Sequence, residues 1–290
     1  MKCTVCETVK WSAGSELQAA VRCGRGSTSG KRRKEIMIPE LFKIGPVTIN
    51  SFGVMAMLAF LVPTLLLRKE VARKGQDPEL AAGIAIAAMV GGFLGARLYY
   101  IIERWQQFLA NPSNYLFTGA GLVWYGGLLG GAFAVIWYIH RNNVSVPMIV
   151  DLTAPLLALG QVFGRGGCLL SGDGDYGPPT DVPWALSFPN GIVPTHELVH
   201  PTPIYDMLIL FGIFLFLWKI RKRDLPGGVK FGLYLVLIGV GRLATEFFRN
   251  TPRVFFGATM AQLISVGLIL TGLILIWNLV KTAGKRAGHA

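Results

Sequence analysis

Apolar residues gather into seven blocks along this chain, spanning about 46–67, 80–102, 118–140, 147–170, 203–220, 229–249 and 255–280. Each block is long enough to cross a hydrocarbon core of about 30 Å as a helix rising about 1.5 Å per residue. The pattern predicts an all-α, polytopic membrane protein with seven transmembrane helices. The connections are short except for 171–202, between the fourth and fifth blocks, which is rich in proline and glycine. Within it, VPWALSFPNG alternates apolar and polar positions and predicts a short strand or hairpin. A loop of that length is often a lid or a binding element. Small residues crowd the second and third blocks, in GGFLGA and in Gly126, Gly127, Gly130 and Gly131. They predict close helix packing of the small-xxx-small kind; the alternative is a face that leaves room for a lipid chain or its head group.

Composition agrees with the pattern. Of 290 residues, 52% are hydrophobic and only 15% charged, against about 25% charged in a soluble domain, and the mean hydropathy is +0.49. The net charge of +12 follows from topology rather than from a nucleic-acid footprint, and no nucleic-acid partner is expected. Thirteen Lys and Arg lie in the links after blocks one, three and five and in the tail, among them Arg68, Lys69, Arg141, Arg221 and Lys281. The other side holds only Lys43, Arg104, Arg249 and Arg253 after residue 36, and the 171–202 loop carries Asp173, Asp175, Asp181 and Glu197 with no Lys or Arg. Since basic loops stay in the cytoplasm, the N-terminus is expected outside and the C-terminus in the cytoplasm, with the long loop extracytoplasmic.

Residues 1–36 break this rule. They add eight Lys and Arg, including Lys31-Arg32-Arg33-Lys34, and no apolar run long enough for a signal peptide. They are expected to be a disordered or non-native extension, with translation starting at Met37 and 37–290 forming the membrane domain. A six-span reading would keep the N-terminus inside but strand one apolar block. Cys3, Cys6 and Cys23 fall in this stretch; one Cys-x-x-Cys without a second pair is weak evidence for zinc. No metal or other cofactor is expected.

The chemistry lies in charges placed at membrane depth. Arg165 in ALGQVFGRGGCLLSG and Arg242 in LVLIGVGRLATEFFRN sit inside apolar segments, where a charge costs roughly 2.5–3.5 kcal/mol on insertion scales and marks a site by default. At about 1.5 Å per residue, Arg97, Arg165 and Arg242 lie about 24, 27 and 20 Å from the cytoplasmic starts of their helices. Tyr125 and Phe52 lie about 10 and 9 Å below the outer starts of theirs. All fall in the outer half of the bilayer, as a shared cavity predicts. Arg242, Glu246 and Arg249 are spaced i, i+4, i+7 and share a helix stripe. That stripe reads either as a self-neutralising ion pair with Arg249 at the interface or as an arginine oriented by Glu246 toward a phosphate, which guanidinium grips with two parallel hydrogen bonds. Gly164-Arg165-Gly166-Gly167-Cys168 ends the fourth block, and its glycines permit unwinding against a cavity. Arg97 reads as snorkelling or site-directed, and His196 and His200 as surface or functional.

Several of these motifs, in this order, resemble prolipoprotein diacylglyceryl transferases over about 38–280. IGPVTINSFGVM resembles the family's entry to span one, GGFLGARLYYII and GLVWYGGLLGG its second and third spans, and GRGGCLLSGDGDYG its signature. HPTPIYD resembles the turn opening span five, and GVGRLATEFFR with MAQLISVGLIL resembles spans six and seven. Six positions depart: Cys168 and Ser171 stand for asparagines, Asp173 for glutamate, Tyr125 for the span-three histidine, Phe52 for a span-one tyrosine, and Gly177 comes one residue late. The resemblance implies a bacterial inner-membrane enzyme that moves the diacylglyceryl group of phosphatidylglycerol to the lipobox cysteine in the signal peptide of a prolipoprotein, the first step of lipoprotein maturation. The catalytic candidates are Arg242, Glu246, Tyr125, Asp173 and His200, and the substrate-binding candidates are Arg165, Gly167, Cys168, Arg249 and Arg97. The resemblance carries over Arg165, Arg242, Glu246 and Arg249; with Tyr125 in place of the histidine, the base falls to His200 or a water on Asp173. The bilayer itself is a further partner. The rival expectations are a lipid-binding membrane protein or transporter without transfer activity, and a transferase that uses another acceptor.

Overall fold

The computed structural model describes residues 37–45, 47–112, 123–249, 251, 253–255 and 257–287; the 1–36 extension and the opening of the third block lie outside them. The chain enters through an antiparallel pair, β1 (Glu40–Ile44) and β2 (Val47–Asn50), and turns directly into α1 (Ser51–Arg73). The β-branched Val47-Thr48-Ile49 favours extended backbone, so the first block yields its opening residues to a strand. α2 (Leu80–Glu103), the short α3 (Trp105–Ala110), α4 (Trp124–Arg141) and α5 (Val146–Ser171) follow. After the long loop come α6 (Thr202–Ile220), α7 (Val229–Glu246), a small pair β5 (Arg253–Phe255) and β6 (Ala258–Thr259), and α8 (Met260–Ala287).

Each of the seven apolar blocks carries a helix, but the helices are not equivalent. Five (α1, α2, α5, α6 and α8) are long and apolar enough to cross a membrane by length and composition. α4 and α7 each span 18 residues. α4 begins with Trp124-Tyr125 and ends with His140-Arg141, while α7 carries Lys230, Arg242 and Glu246. The expectation of seven transmembrane helices is met in helix positions, and five of the seven have the length and apolarity to cross a membrane.

The chain is a helical membrane protein whose helices pack in pairs. α2 meets α4 along their glycines: a Cβ on Gly95 would stand 2.4 Å from the Gly126 carbonyl and 2.8 Å from Gly130 Cα. The two Gly-xxx-Gly ridges, Gly91/Gly95 and Gly126/Gly130, bring the backbones together as small-residue packing requires. α5 is central, with α1 on one side and α6 and α7 on the other, around a core of Ala154, Ala158, Ile213, Leu217 and Tyr234. The far sides of the helices remain apolar and exposed, as at Phe133, Trp137, Leu208 and Trp277, which suits a lipid solvent.

α5 runs unbroken to Ser171, so the glycines at 164, 166 and 167 do not unwind it. The helix stops at Gly172, whose φ of +60° is the left-handed cap that glycine takes at little cost. Beyond it, β3 (Leu186–Phe188), the strand predicted within VPWALSFPNG, forms an antiparallel hairpin with β4 (Thr195–Val199), which lies past that segment. Phe188 seals its inner face together with Leu186 and Val199. At the other end of α5, the Asp151 carboxylate accepts backbone N–H groups of Gly228 and Phe231, both at 2.9 Å, and so caps α7 from outside that helix.

Candidate functional site

Three guanidiniums converge where α5 ends, α6 begins and α7 ends. Arg165 comes from the last turns of α5, Arg242 from α7, and Arg249 from the turn that follows α7. Two aspartates hold them together. Asp206, in the first turns of α6, lies 3.2 Å from Arg165 Nε, 3.6 Å from Arg242 Nη1 and 2.7 Å from Arg249 Nη2. Asp175, in the loop after α5, accepts Arg165 Nη1 on Oδ2 and takes both ends of the Arg249 fork, Nη1 on Oδ1 and Nη2 on Oδ2, the latter at 2.9 Å. Glu246 pairs with Arg242 Nη2 at 3.4 Å one helical turn away, and its other oxygen accepts the Thr259 hydroxyl at 2.8 Å.

The polar atoms here are not fully satisfied. Arg242 Nη1, Arg249 Nε and Glu246 Oε2 are buried and lack a hydrogen bond among the described residues. A buried donor without a hydrogen bond costs on the order of 1–3 kcal/mol, so Arg242 Nη1 and Arg249 Nε stand ready for an oxygen-rich anion, while Glu246 Oε2, an acceptor, faces Arg242 Nη2 at 3.4 Å. Arg165 and Arg242 line a cavity of about 40 Å³ together with Gln161, Asp206, Ile213 and Ile238. Its lining joins two guanidiniums and a carboxylate to the aliphatic Ile209, Leu210, Ile213 and Ile238.

The loop is bound into this centre. Thr202, fully buried, donates its hydroxyl to the Asp175 carbonyl at 2.6 Å. Gly177 passes so close to the chain after α7 that a Cβ there would stand 2.1 Å from the Phe248 carbonyl, so no other residue fits without a shift. Tyr176 stacks on Phe188 and donates to the Val193 carbonyl at 2.9 Å; its partial burial raises the phenol above its usual pKa.

The expected site residues separate into groups. Arg165, Arg242, Glu246 and Arg249 form one network, whereas Arg97, Tyr125 and Phe52, placed at the same depth by sequence, do not line the cavity that Arg165 and Arg242 share. Cys168 is a free thiol neighbouring both the Asp173 carboxylate and Arg165, and Asp173 accepts the Asp175 backbone N–H at 3.2 Å. Gly167 serves close packing: its Cβ would meet the Phe52 ring at 3.0 Å, so glycine lets α5 approach α1. His200 stands at the rim, its Nδ1 3.1 Å from the Tyr205 hydroxyl, which also accepts Trp184 Nε1 at 2.7 Å, and its ring lies against Phe248. Arg97 lies on α2 with its guanidinium 5.7 Å from the Tyr100 ring centroid. Tyr125 is exposed on the first turn of α4, edge-on to Trp124 at 5.4 Å, and does not line the arginine cavity.

Asp206 and Asp175 escaped the sequence reading of the site. The available signal was Asp206 itself, an acid at the head of an apolar helix within the quoted HPTPIYD, where charge also carries a cost.

The family model for prolipoprotein diacylglyceryl transferase matches residues 39–278 of this chain. A phosphatidylglycerol–prolipoprotein diacylglyceryl transferase of Clostridium tetani is 37% identical over 246 residues, covering 84% of this chain and 98% of that protein. Similar matches come from Synechococcus elongatus, 32% identical and covering 82% of this chain and 86% of that protein, and from Aliivibrio salmonicida, 35% identical and covering 86% and 92%. Both carry the same enzyme name.

Proposed function

This chain belongs to the prolipoprotein diacylglyceryl transferase family, and from that premise we propose that it transfers the diacylglyceryl group of phosphatidylglycerol to the lipobox cysteine of exported prolipoproteins. The observation that carries the reading is the convergence of Arg165, Arg242 and Arg249 on Asp206, beside a cavity that Arg165 and Arg242 line, with buried donors lacking hydrogen bonds. In this proposal all seven helices cross the bacterial inner membrane. The N-terminus and the 171–202 loop lie outside, the C-terminus lies in the cytoplasm, and the cavity opens toward the outer leaflet. The basic links and the acid-rich, Lys/Arg-free loop support that orientation.

The thiol sulfur attacks the glyceryl carbon bound to the phosphate oxygen. A thioether forms, the C–O bond breaks, glycerol 1-phosphate leaves, and the thiol proton passes to a base. The guanidiniums hold the phosphate and meet the charge that builds on its leaving oxygen, where oriented donors in a water-poor site act most strongly. Glu246 orients Arg242, and Thr259 orients Glu246. Asp206 aligns all three guanidiniums.

A thiol near pKa 8.5 is only slightly ionised at neutral pH, so a base within reach speeds the attack. His200 fits this role. The Tyr205 oxygen has lone pairs enough to accept both Trp184 N–H and His200 Nδ1–H, a tautomer that leaves Nε2 free to take a proton. Asp173, through a water, is a second base. Tyr125 and Arg97 serve the head group or the incoming peptide from the α2–α4 side, and Cys168 lies beside the Arg165 phosphate contact. The exposed Tyr125 on the first turn of α4 favours the rival reading of a lipid-binding protein without transfer activity.

The purified protein decides between them. With phosphatidylglycerol labelled in its acyl chains and a lipobox peptide, the proposal expects labelled thioether peptide from the wild type and roughly 10²–10³-fold slower turnover from Arg242→Ala, the scale of losing a charge-stabilising donor. Phosphatidylglycerol binding without any thioether product would establish the rival.

A further inference from the structure

The three guanidiniums of the site are ion-paired with three carboxylates, Asp175, Asp206 and Glu246, and the Asp173 carboxylate lies near Arg249 as well, so the centre already holds at least as much negative charge as positive. A phosphodiester entering it would leave a surplus negative charge unless one carboxylate withdrew. The three acids are not equally free to do so. Glu246 is almost fully buried (1% side-chain exposure) and held by Thr259. Asp206 sits within α6, 7% exposed, between all three arginines. Asp175 is the most exposed of the three at 21% and the only one in a loop. Its contacts also have the geometry of a substrate: Arg249 grips it with both ends of its fork while Arg165 takes one oxygen. A guanidinium engages two phosphate oxygens with that same fork.

We propose that the Asp175 carboxylate is a built-in competitor of the phosphate, resting on Arg165 and Arg249 when the site is empty and returning to them to displace the glycerol phosphate product. This rests on the transferase reading of the same site and adds a residue that sets its anion affinity. The exchange needs no loop opening. The Asp175 backbone stays fixed through its carbonyl on Thr202, and rotation about one short side chain moves the carboxylate from the arginines toward solvent. The charge sequence fits the direction of the reaction. The substrate phosphodiester carries one negative charge and exchanges evenly with Asp175. The product phosphomonoester, with a second pKa near 6, carries nearly two, and the returning carboxylate repels it. Asp175 thus weakens head-group binding in order to speed release of a product that three arginines would otherwise retain.

The test is titration of sn-glycerol 1-phosphate into the purified full-length protein, alongside its inhibition of transfer from phosphatidylglycerol vesicles. If the site is unlatched about one-tenth of the time, Asp175→Asn binds glycerol 1-phosphate about tenfold more tightly. It also lowers the apparent KM for phosphatidylglycerol and shows stronger product inhibition, whereas Asp206→Asn moves affinity the opposite way. Glycerol 1-phosphate binding by Asp175→Asn that is equal to or weaker than that of a binding-competent wild type overturns the competitor role and leaves the transferase reading standing. No binding by either protein overturns both. If Asp175→Asn lacks the wild-type unfolding transition, Asp175→Ser is titrated under the same criteria.

Discussion

A guanidinium stays charged at nearly any depth, so the use of a buried arginine is decided by the oxygens that face it. Here Asp206 faces three of them, and the account gives it a large effect for a residue that touches no reacting atom. Removing one partner from a buried ion network typically costs about 3–5 kcal/mol, and the partial exposure of Arg165 and Arg242, 29% and 28%, places this one at the low end. Asp206→Asn is therefore expected to lower both the melting temperature and phosphatidylglycerol affinity; wild-type affinity from a vesicle-binding measurement would remove it from the site. Cys168 tests the signature departure. Cys168→Asn, which restores the family's usual residue beside Arg165, is expected to keep or raise turnover, and a loss above tenfold would mean that the thiol itself is needed. Arg165, Arg242, Glu246 and Arg249 were legible from sequence because charge inside an apolar run is rare and expensive. Asp175 was not, since an aspartate in a Gly-rich loop looks like any solvated turn residue until the fold carries Arg249 back to it from 74 positions away.

At the scale of elements, the sequence located the apolar helices of the described residues because blocks of that length have few alternatives in lipid. It misjudged the details that depend on partners. The glycines near Arg165 allowed unwinding in principle, yet close packing against Phe52 and Met55 keeps α5 helical through them. The opening of the first block became β2, where local β-branched residues outweighed block length. The small-xxx-small reading held, and it supports a direct prediction. Gly95→Leu would drive a side chain into the Gly126 carbonyl and the Gly130 backbone, and overpacking of this kind costs typically about 1–3 kcal/mol. A thermal melt in detergent should fall by several degrees, while Gly267→Leu, where a Cβ meets open space, should leave it unchanged. The cap that Asp151 places on α7 predicts a loss of about 1 kcal/mol for Asp151→Ala, measurable in the same melt.

For the whole molecule, the two polar centres lie at opposite ends of the α5–α6–α7 group. Arg165, Arg242 and Arg249 gather at one end; at the other, Arg221 joins Glu70 at 3.2 Å and Asp151 caps α7. The charge rule assigns the second end to the cytoplasm. Labelling intact cells with an impermeant maleimide should then mark Glu197→Cys in the long loop and spare Lys222→Cys in the link after α6; the reverse pattern would invert the topology. Transfer itself can be followed in cells depleted of their own prolipoprotein diacylglyceryl transferase. Expressing this chain there, and following a labelled prolipoprotein, should restore the diacylglyceryl-modified form for the wild type and not for Arg242→Ala. An unmodified prolipoprotein, with the wild-type protein present in the membrane, would contradict the account.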